Sequence, residues 1–430
     1  MESLAGFEAR GITRVLPEDR QPPSLASDVQ VAILWFSANT SVNNLAVGLF
    51  GPLVFNFWVS GHLSTSYMST WGPLSGNRTM VVARYFMGYW PSKIPCFLNI
   101  VLMVGYCTID CIIGGQMLSA VSGGSMSIVV GIIIVALVSL VVAVFGIALF
   151  HYYERWAWLP QILALFILVG SAGPYFNAAL QSVGDAPTVA ANRLSFFSLC
   201  LYVPNSWAAA ASDYYVYYPE RTSRLKIFLL TLTGLWVSSP SISTGALVVA
   251  GYGPLNGFGL FCSVIVSLGV IANSIPGTYL AALGCQVMGR YGKAVPRWVW
   301  SCIMVLIELI CALVGRDHLF LVFQNFLALM GYWVEIMVCI VLQEHLLFRR
   351  TLGFEWARWE DKKYLPLGIA ALASFLLGWL GAVLGMYQVW YVGRLAGLAG
   401  GCDIGVWVGC GFALISYPLL RWLELKRFGR

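Results

Sequence analysis

The stretch LCLYVPNSWAAAASDYYVYYPE, Leu199 to Glu220, has the apolar content of a lipid-spanning helix, yet Pro204-Asn205-Ser206 interrupts it. Proline supplies no backbone N–H, and irregular backbone at membrane depth persists only where it is buried in protein or lines a cavity. A second run, LWFSANTSVNNLAVGLFGP at Leu34 to Pro52, is interrupted in the same way by Ser37, Asn39, Thr40, Ser41, Asn43 and Asn44. The whole chain is 59% hydrophobic and 10% charged, with a mean hydropathy of +0.78, far from the roughly 25% charged residues of soluble domains. These values predict an all-α integral membrane protein.

Apolar segments of about 20 residues, the length needed to cross a bilayer, centre on twelve places. The first six are Val31–Gly51, Val54–Thr70, Ile94–Ala120, Ile128–Phe150, Pro160–Phe176 and Leu194–Ala211. The others are Leu225–Ala250, Phe258–Leu280, Trp298–Val314, Leu319–Leu342, Leu365–Val389 and Ile404–Leu420. All but Arg193, Arg316 and Arg394 of the 25 Lys and Arg fall in one alternate set of connections, the asymmetry of cytosolic loops. Both termini are therefore expected in the cytosol, without a cleaved signal, and the net charge of +6 belongs to that face rather than to a nucleic-acid partner.

The two interrupted runs are spans one and six. They start two five-span halves; because five is odd the halves run in opposite directions, and paired broken helices in inverted repeats point to a transporter binding site. The expected organisation is a cytosolic tail (1–28), a five-helix repeat (29–176), a second, inverted five-helix repeat (194–342), a cytosolic loop (343–364), two accessory helices (365–420) and a cytosolic tail (421–430). The same symmetry pairs span three, with Tyr106 and Asp110, with span eight, with Asn273, Ser274 and Pro276. An aspartate at a helix centre costs roughly 2.5 to 3.5 kcal/mol on insertion scales and is seldom left without a partner or a task. Glu308 and Glu335, also inside spans, read as acids held by ion pairs in the scaffold. The eleven cysteines are mostly scattered through apolar runs and suggest neither disulfides nor a metal site. No cofactor is expected, and His151-x-x-Glu154 and Glu344-His345 lack the nucleophile or ligand set of an enzyme.

SANT at Ser37–Thr40, FGIALFHYYERWAWLP at Phe145–Pro160, SDYYVYYP at Ser212–Pro219, IANSIP at Ile271–Pro276, GRYGKAVPRWVW at Gly289–Trp300, GYW and EHLLFRR between Gly331 and Arg350, and GAVLGMYQVWYVG at Gly381–Gly393 are longer motifs. Together they resemble fungal purine-cytosine permeases of the nucleobase cation symporter family. The resemblance implies twelve helices, a leucine-transporter-type 5+5 inverted repeat with two C-terminal helices, and import of nucleobases with protons at the plasma membrane. It places Tyr106 and Trp207 at the family's substrate-site aromatics and Glu154 at a proton-linked or gating acid. Asp110 replaces a family Asn, and Gly277 stands where the family uses an Asn at the substrate. With the second span short as well, a transport-deficient sensor or structural relative is the competing expectation.

A nucleobase is a flat π-system with a hydrogen-bonding rim. Trp207 and Tyr106 supply faces for stacking, worth about 1 to 3 kcal/mol per base in nucleic-acid systems. Asn39, Asn44, Asn273 and Asp110 supply groups that read amino and ring-nitrogen edges, and Pro276 of span eight is also expected in the substrate site. The expected activity is proton-coupled symport of purine bases, cytosine or related nucleosides by alternating access, with the proton preferred over sodium. Asp110 and Glu154 are the expected proton-coupling or gating acids, and Asp213 a helix-end or gate residue.

Overall fold

The computed structural model describes residues 11–22, 24–39, 62–145, 147–175, 184–237, 249–350 and 353–430. Among them every regular element is helical, and no strand forms; Tyr387 and Val392 make an isolated antiparallel bridge. The principal helices are α1 (Leu25–Asn39), α2 (Lys93–Val121), α3 (Ile128–Phe145), α4 (Ile147–Ala172), α5 (Ala186–Ser206) and α6 (Arg224–Val237). They continue with α7 (Asn256–Val287), α8 (Arg297–Gly315), α9 (Leu319–Gln343), α10 (Ile369–Gly385) and α11 (Gly405–Phe428). Among the described residues five helical stretches are long and apolar enough to cross a membrane: Lys93–Val121, Gly253–Val287, Arg297–His318, Phe326–Phe348 and Gly405–Phe428. Leu137 and Val141 on α3, Leu306 and Ile310 on α8, Leu376 and Leu380 on α10 and Ile415 and Leu419 on α11 are exposed, which gives these helices an apolar outer surface suited to lipid.

Two groups of helices pack internally. In one, α2 lies along α7, and α3 and α8 pack on both. Without a hydrophobic drive between helices in lipid, close approach of small residues sets such contacts. A Cβ at Gly284 would meet Ile100 at 2.7 Å, and the Cys96 and Cys107 thiols donate across the seam to Gly284 O and Ser274 O at 3.4 and 3.3 Å. In the other, α1 packs on α6, and α6 on the short helix Leu63–Ser69. Trp35 Nε1 donates to Tyr215 OH at 3.0 Å, Tyr215 OH lies 2.6 Å from Thr231 Oγ1, and Thr231 donates to Ser69 Oγ at 2.9 Å. This chain of hydroxyls ties α1, the segment after α5, α6 and the short helix together.

α5 starts as its sequence dictates: Asp185 caps it by accepting from Thr188 N at 3.2 Å, with Pro in the first turn. Its end differs from the sequence expectation. The α-helix runs through Pro204-Asn205-Ser206 and gives way only at Trp207, in two short 3₁₀ turns, Trp207–Ala209 and Ala211–Tyr214. Pro204 removes one donor, which a helix tolerates, whereas the segment beyond it is held by outside partners. Ser212 N donates to Thr79 Oγ1 at 3.0 Å and Ser212 Oγ to Met68 O at 2.7 Å. Gly72 permits this docking, since a Cβ there would stand 2.6 Å from Ser212 O and from Tyr215 Cβ.

Asp213 anchors the same segment. It accepts from Thr79 N and Thr79 Oγ1, both at 2.7 Å, at the start of the helix Thr79–Met87. Arg78 lies 4.0 Å from its carboxylate, donates to Asp213 O at 3.1 Å and reaches Tyr279 OH on α7 at 2.9 Å. The helix-end role expected for Asp213 is thus realised from a distant element. A further correction concerns spans four and five, expected to be separated by a polar connection through His151–Arg155. Residues 147–172 form one helix, α4, with Pro160 inside it, so that acid-bearing turn is helical. Residues 54–61 of the second expected span and the polar cluster after Asn39 lie outside the described residues.

Candidate substrate site

α2 and α7 cross where each carries its polar residue. Asn273 Nδ2 donates to Asp110 Oδ2 at 2.9 Å, and both side chains are buried, Asp110 completely. A carboxylate oxygen only accepts, so this bond orients the amide and turns Asn273 Oδ1 away as an acceptor. That oxygen has no hydrogen-bond partner, nor do the buried Ser274 Oγ and Tyr106 OH. Buried polar atoms are seldom left unmatched in a folded protein, and here three gather within the same turns of α2 and α7.

Aromatic rings stand near these groups, packed edge-on against other rings. Tyr106 packs edge-on against Phe326 of α9, with ring centroids 5.7 Å apart, and its hydroxyl lies toward Ser206 without forming a hydrogen bond. Trp207, at the point where α5 ends, meets Trp35 of α1 edge-on at 6.3 Å and Tyr214 at 6.3 Å, and Trp35 and Tyr214 are themselves 5.0 Å apart. Trp35, Phe326 and Tyr214 were not singled out in the sequence. Trp35 lies two residues before the start of the SANT motif and Tyr214 lies within SDYYVYYP, the signal that could have marked these two. Beside the 3₁₀ turns that follow α5 a cavity is lined by Arg78, Asn99, Ala209, Ala210, Asp213 and Leu283.

Other expected site residues fall differently. Pro276 is buried inside α7, one turn beyond Asn273. Asn39 is the last residue of α1, while its side chain, Asn44 and the Glu154 side chain lie outside the described residues. Gly277 leaves no vacated volume for a ligand: a Cβ there would run into Cys107 Sγ, so it is a packing position between α2 and α7. Among the described residues neither Glu308 nor Glu335 has the ion pair expected from sequence. Glu308 meets the Thr278 hydroxyl at 3.4 Å, and Glu335 accepts from Ser64 Oγ at 3.1 Å while its other oxygen is buried without a partner. Among the described residues no group of three or more His, Cys, Asp or Glu is arranged to hold a metal.

A family model for permeases of cytosine/purines, uracil, thiamine and allantoin matches residues 25–409. A vitamin B6 transporter of Saccharomyces cerevisiae, TPN1, is 32% identical over 99% of this chain and 89% of its own length. The purine-cytosine permease fcyB of Emericella nidulans is likewise 32% identical, over 99% of this chain and 90% of its own. Among solved structures, Mhp1, a nucleobase-cation-symport-1 family transporter in a closed conformation with bromovinylhydantoin bound, matches with a TM-score of 0.71 at 14% identity, covering 98% of this chain and 96% of that one. At that identity the likeness carries the fold.

Proposed function

Because the chain belongs to the family of permeases for cytosine/purines, uracil, thiamine and allantoin, we propose that it is a proton-coupled symporter importing purine bases, cytosine or related nucleosides by alternating access. It is a membrane transporter and not an enzyme. The observation that carries the substrate reading is the Asp110–Asn273 pair, with unmatched polar atoms beside it and a cluster of aromatic rings at the end of α5. Aromatic faces bind any flat base, and the amide and carboxyl groups read its rim.

The pair also offers a coupling mechanism. Ionised Asp110 fixes the Asn273 amide with Nδ2 towards it, so the site presents an acceptor. Protonated Asp110 donates to Oδ1 instead, the amide turns over, and the site presents a donor. Proton and base are then linked through one amide, and each changes the affinity for the other by the same factor.

Twelve spans in a 5+5 inverted repeat with two accessory helices, and both termini in the cytosol at the plasma membrane, complete the proposal. The dense packing among α2, α3, α7 and α8, with only light contact of α1 on α7, supports a scaffold of spans three, four, eight and nine and a moving bundle of one, two, six and seven. Glu154 enters as a further proton-linked or gating group on the family resemblance, and Asn39 and Asn44 as substrate groups on the chemistry of their amides. Uptake of radiolabelled adenine, cytosine and uridine into a permease-null host tests the reading. Vitamin B6 joins the panel, since the relative named for its transport is as similar as the purine-cytosine permease. Uptake of none of these above the empty host would refute the reading.

A further inference from the structure

Glu308 projects from α8 into the seam between α2 and α7 and is completely buried. Its partner is the Thr278 hydroxyl, 3.4 and 3.5 Å from its two oxygens. That hydroxyl has one proton and a competing acceptor, Ser274 O, at 3.2 Å. The Cys107 thiol lies against the Glu308 carboxyl as well, but it donates to Ser274 O at 3.3 Å. An ionised Glu308 would therefore have two oxygens and no committed donor. A neutral Glu308 relieves the conflict: its O–H donates to Thr278 Oγ1 and Thr278 donates to Ser274 O, leaving only an uncharged carbonyl oxygen beside the Cys107 thiol.

Among the described residues no basic side chain pairs with Glu308. On α2 the titratable groups facing Glu308 are Cys107 and Cys111, and Asp110 lies close enough to act on the same two thiols. α7 contributes the Thr278 hydroxyl, and α3, packed on α8, carries no titratable residue. Ser274, where this chain ends, is the neighbour of Asn273, which bonds Asp110.

We propose that Glu308 is a second proton-binding site of the transporter, joined to the Asp110–Asn273 pair through Thr278, Cys107 and Ser274, and that its proton is exchanged during the transport cycle. The coupling role rests on the symport reading above, whereas the proton occupancy rests on the geometry of the seam.

Glu308→Gln keeps the shape and a donor for Thr278 but cannot titrate. Infrared difference spectra of the purified full-length protein read the protonated carboxyl C=O stretch directly. Glu308→Gln should lose one such band, and Thr278→Val should shift it. In proteoliposomes with one unit of inward pH gradient and radiolabelled adenine or cytosine, Glu308→Gln should retain counterflow exchange and lose about tenfold in accumulation, the equivalent of one proton. An unchanged carboxyl band overturns the proposal, as does wild-type accumulation in the variant. Loss of exchange along with accumulation also overturns it, by placing Glu308 in substrate binding or folding. If neither base exchanges in the wild type, the substrate reading fails, and the band still decides whether Glu308 holds a proton.

Discussion

The Asn273 amide donates to the Asp110 carboxylate over 2.9 Å, joining residues 163 positions apart at the crossing of α2 and α7. One bond thus ties the ionisable group of span three to the polar group of span eight. Asp110→Asn preserves shape and an acceptor for Asn273 but removes titration. It should leave base binding within about 1 kcal/mol, the value of a typical net hydrogen bond, while flattening the dependence of uptake on external pH between acid and neutral medium. Unaltered pH dependence would remove Asp110 from coupling.

Trp207 lies where α5 gives way, in edge-on contact with Trp35 and Tyr214. Trp207→Ala should weaken base binding by about 1 to 3 kcal/mol, and Trp207→Phe by less, because a ring is retained. Binding assays on correctly inserted protein would discard the stacking role if the two losses were equal.

Gly277 faces Cys107 at the α2–α7 contact. Gly277→Ala should lower thermal stability in detergent by an overpacking cost of about 1 to 3 kcal/mol. Adding Cys107→Ala, which vacates the colliding sulfur, should restore part of it. Full additivity of the two substitutions would mean that the side chains do not meet.

Asp213 holds the backbone start of Thr79–Met87 and stands beside the buried Arg78. Asp213→Ala leaves that guanidinium without its acid, and breaking such a buried pair costs about 3 to 5 kcal/mol. Asp213→Asn retains an acceptor for Thr79 and should cost less. Thermal unfolding that ranks the two variants in the opposite order would contradict the anchoring role.

What was legible in the sequence was what depends on helical period and polarity. Apolar length marked α2, α7, α8, α9 and α11, and the placing of Asp110 and Asn273 inside apolar runs marked the pair that the structure joins. What was not legible depends on tertiary partners. Pro204 suggested a break at its own position, but Thr79 and Met68, far away in sequence, determine that it begins at Trp207. Gly277 read as an absent ligand group because a sequence does not show that Cys107 occupies the space beside it. Trp35 was hidden among seventeen tryptophans, most of which suit packing or the membrane interface. Glu308 suggested an ion pair by default, and only the seam reveals a threonine in place of a cation.

The most direct measurement is uptake by the purified protein in proteoliposomes, with adenine and cytosine as radiolabelled probes and the pH gradient imposed independently of sodium. Proton symport predicts accumulation above the external concentration when the outside is acid, its collapse on adding a protonophore, and no response to a sodium gradient. Equal uptake with and without the proton gradient, or accumulation driven by sodium alone, would contradict it.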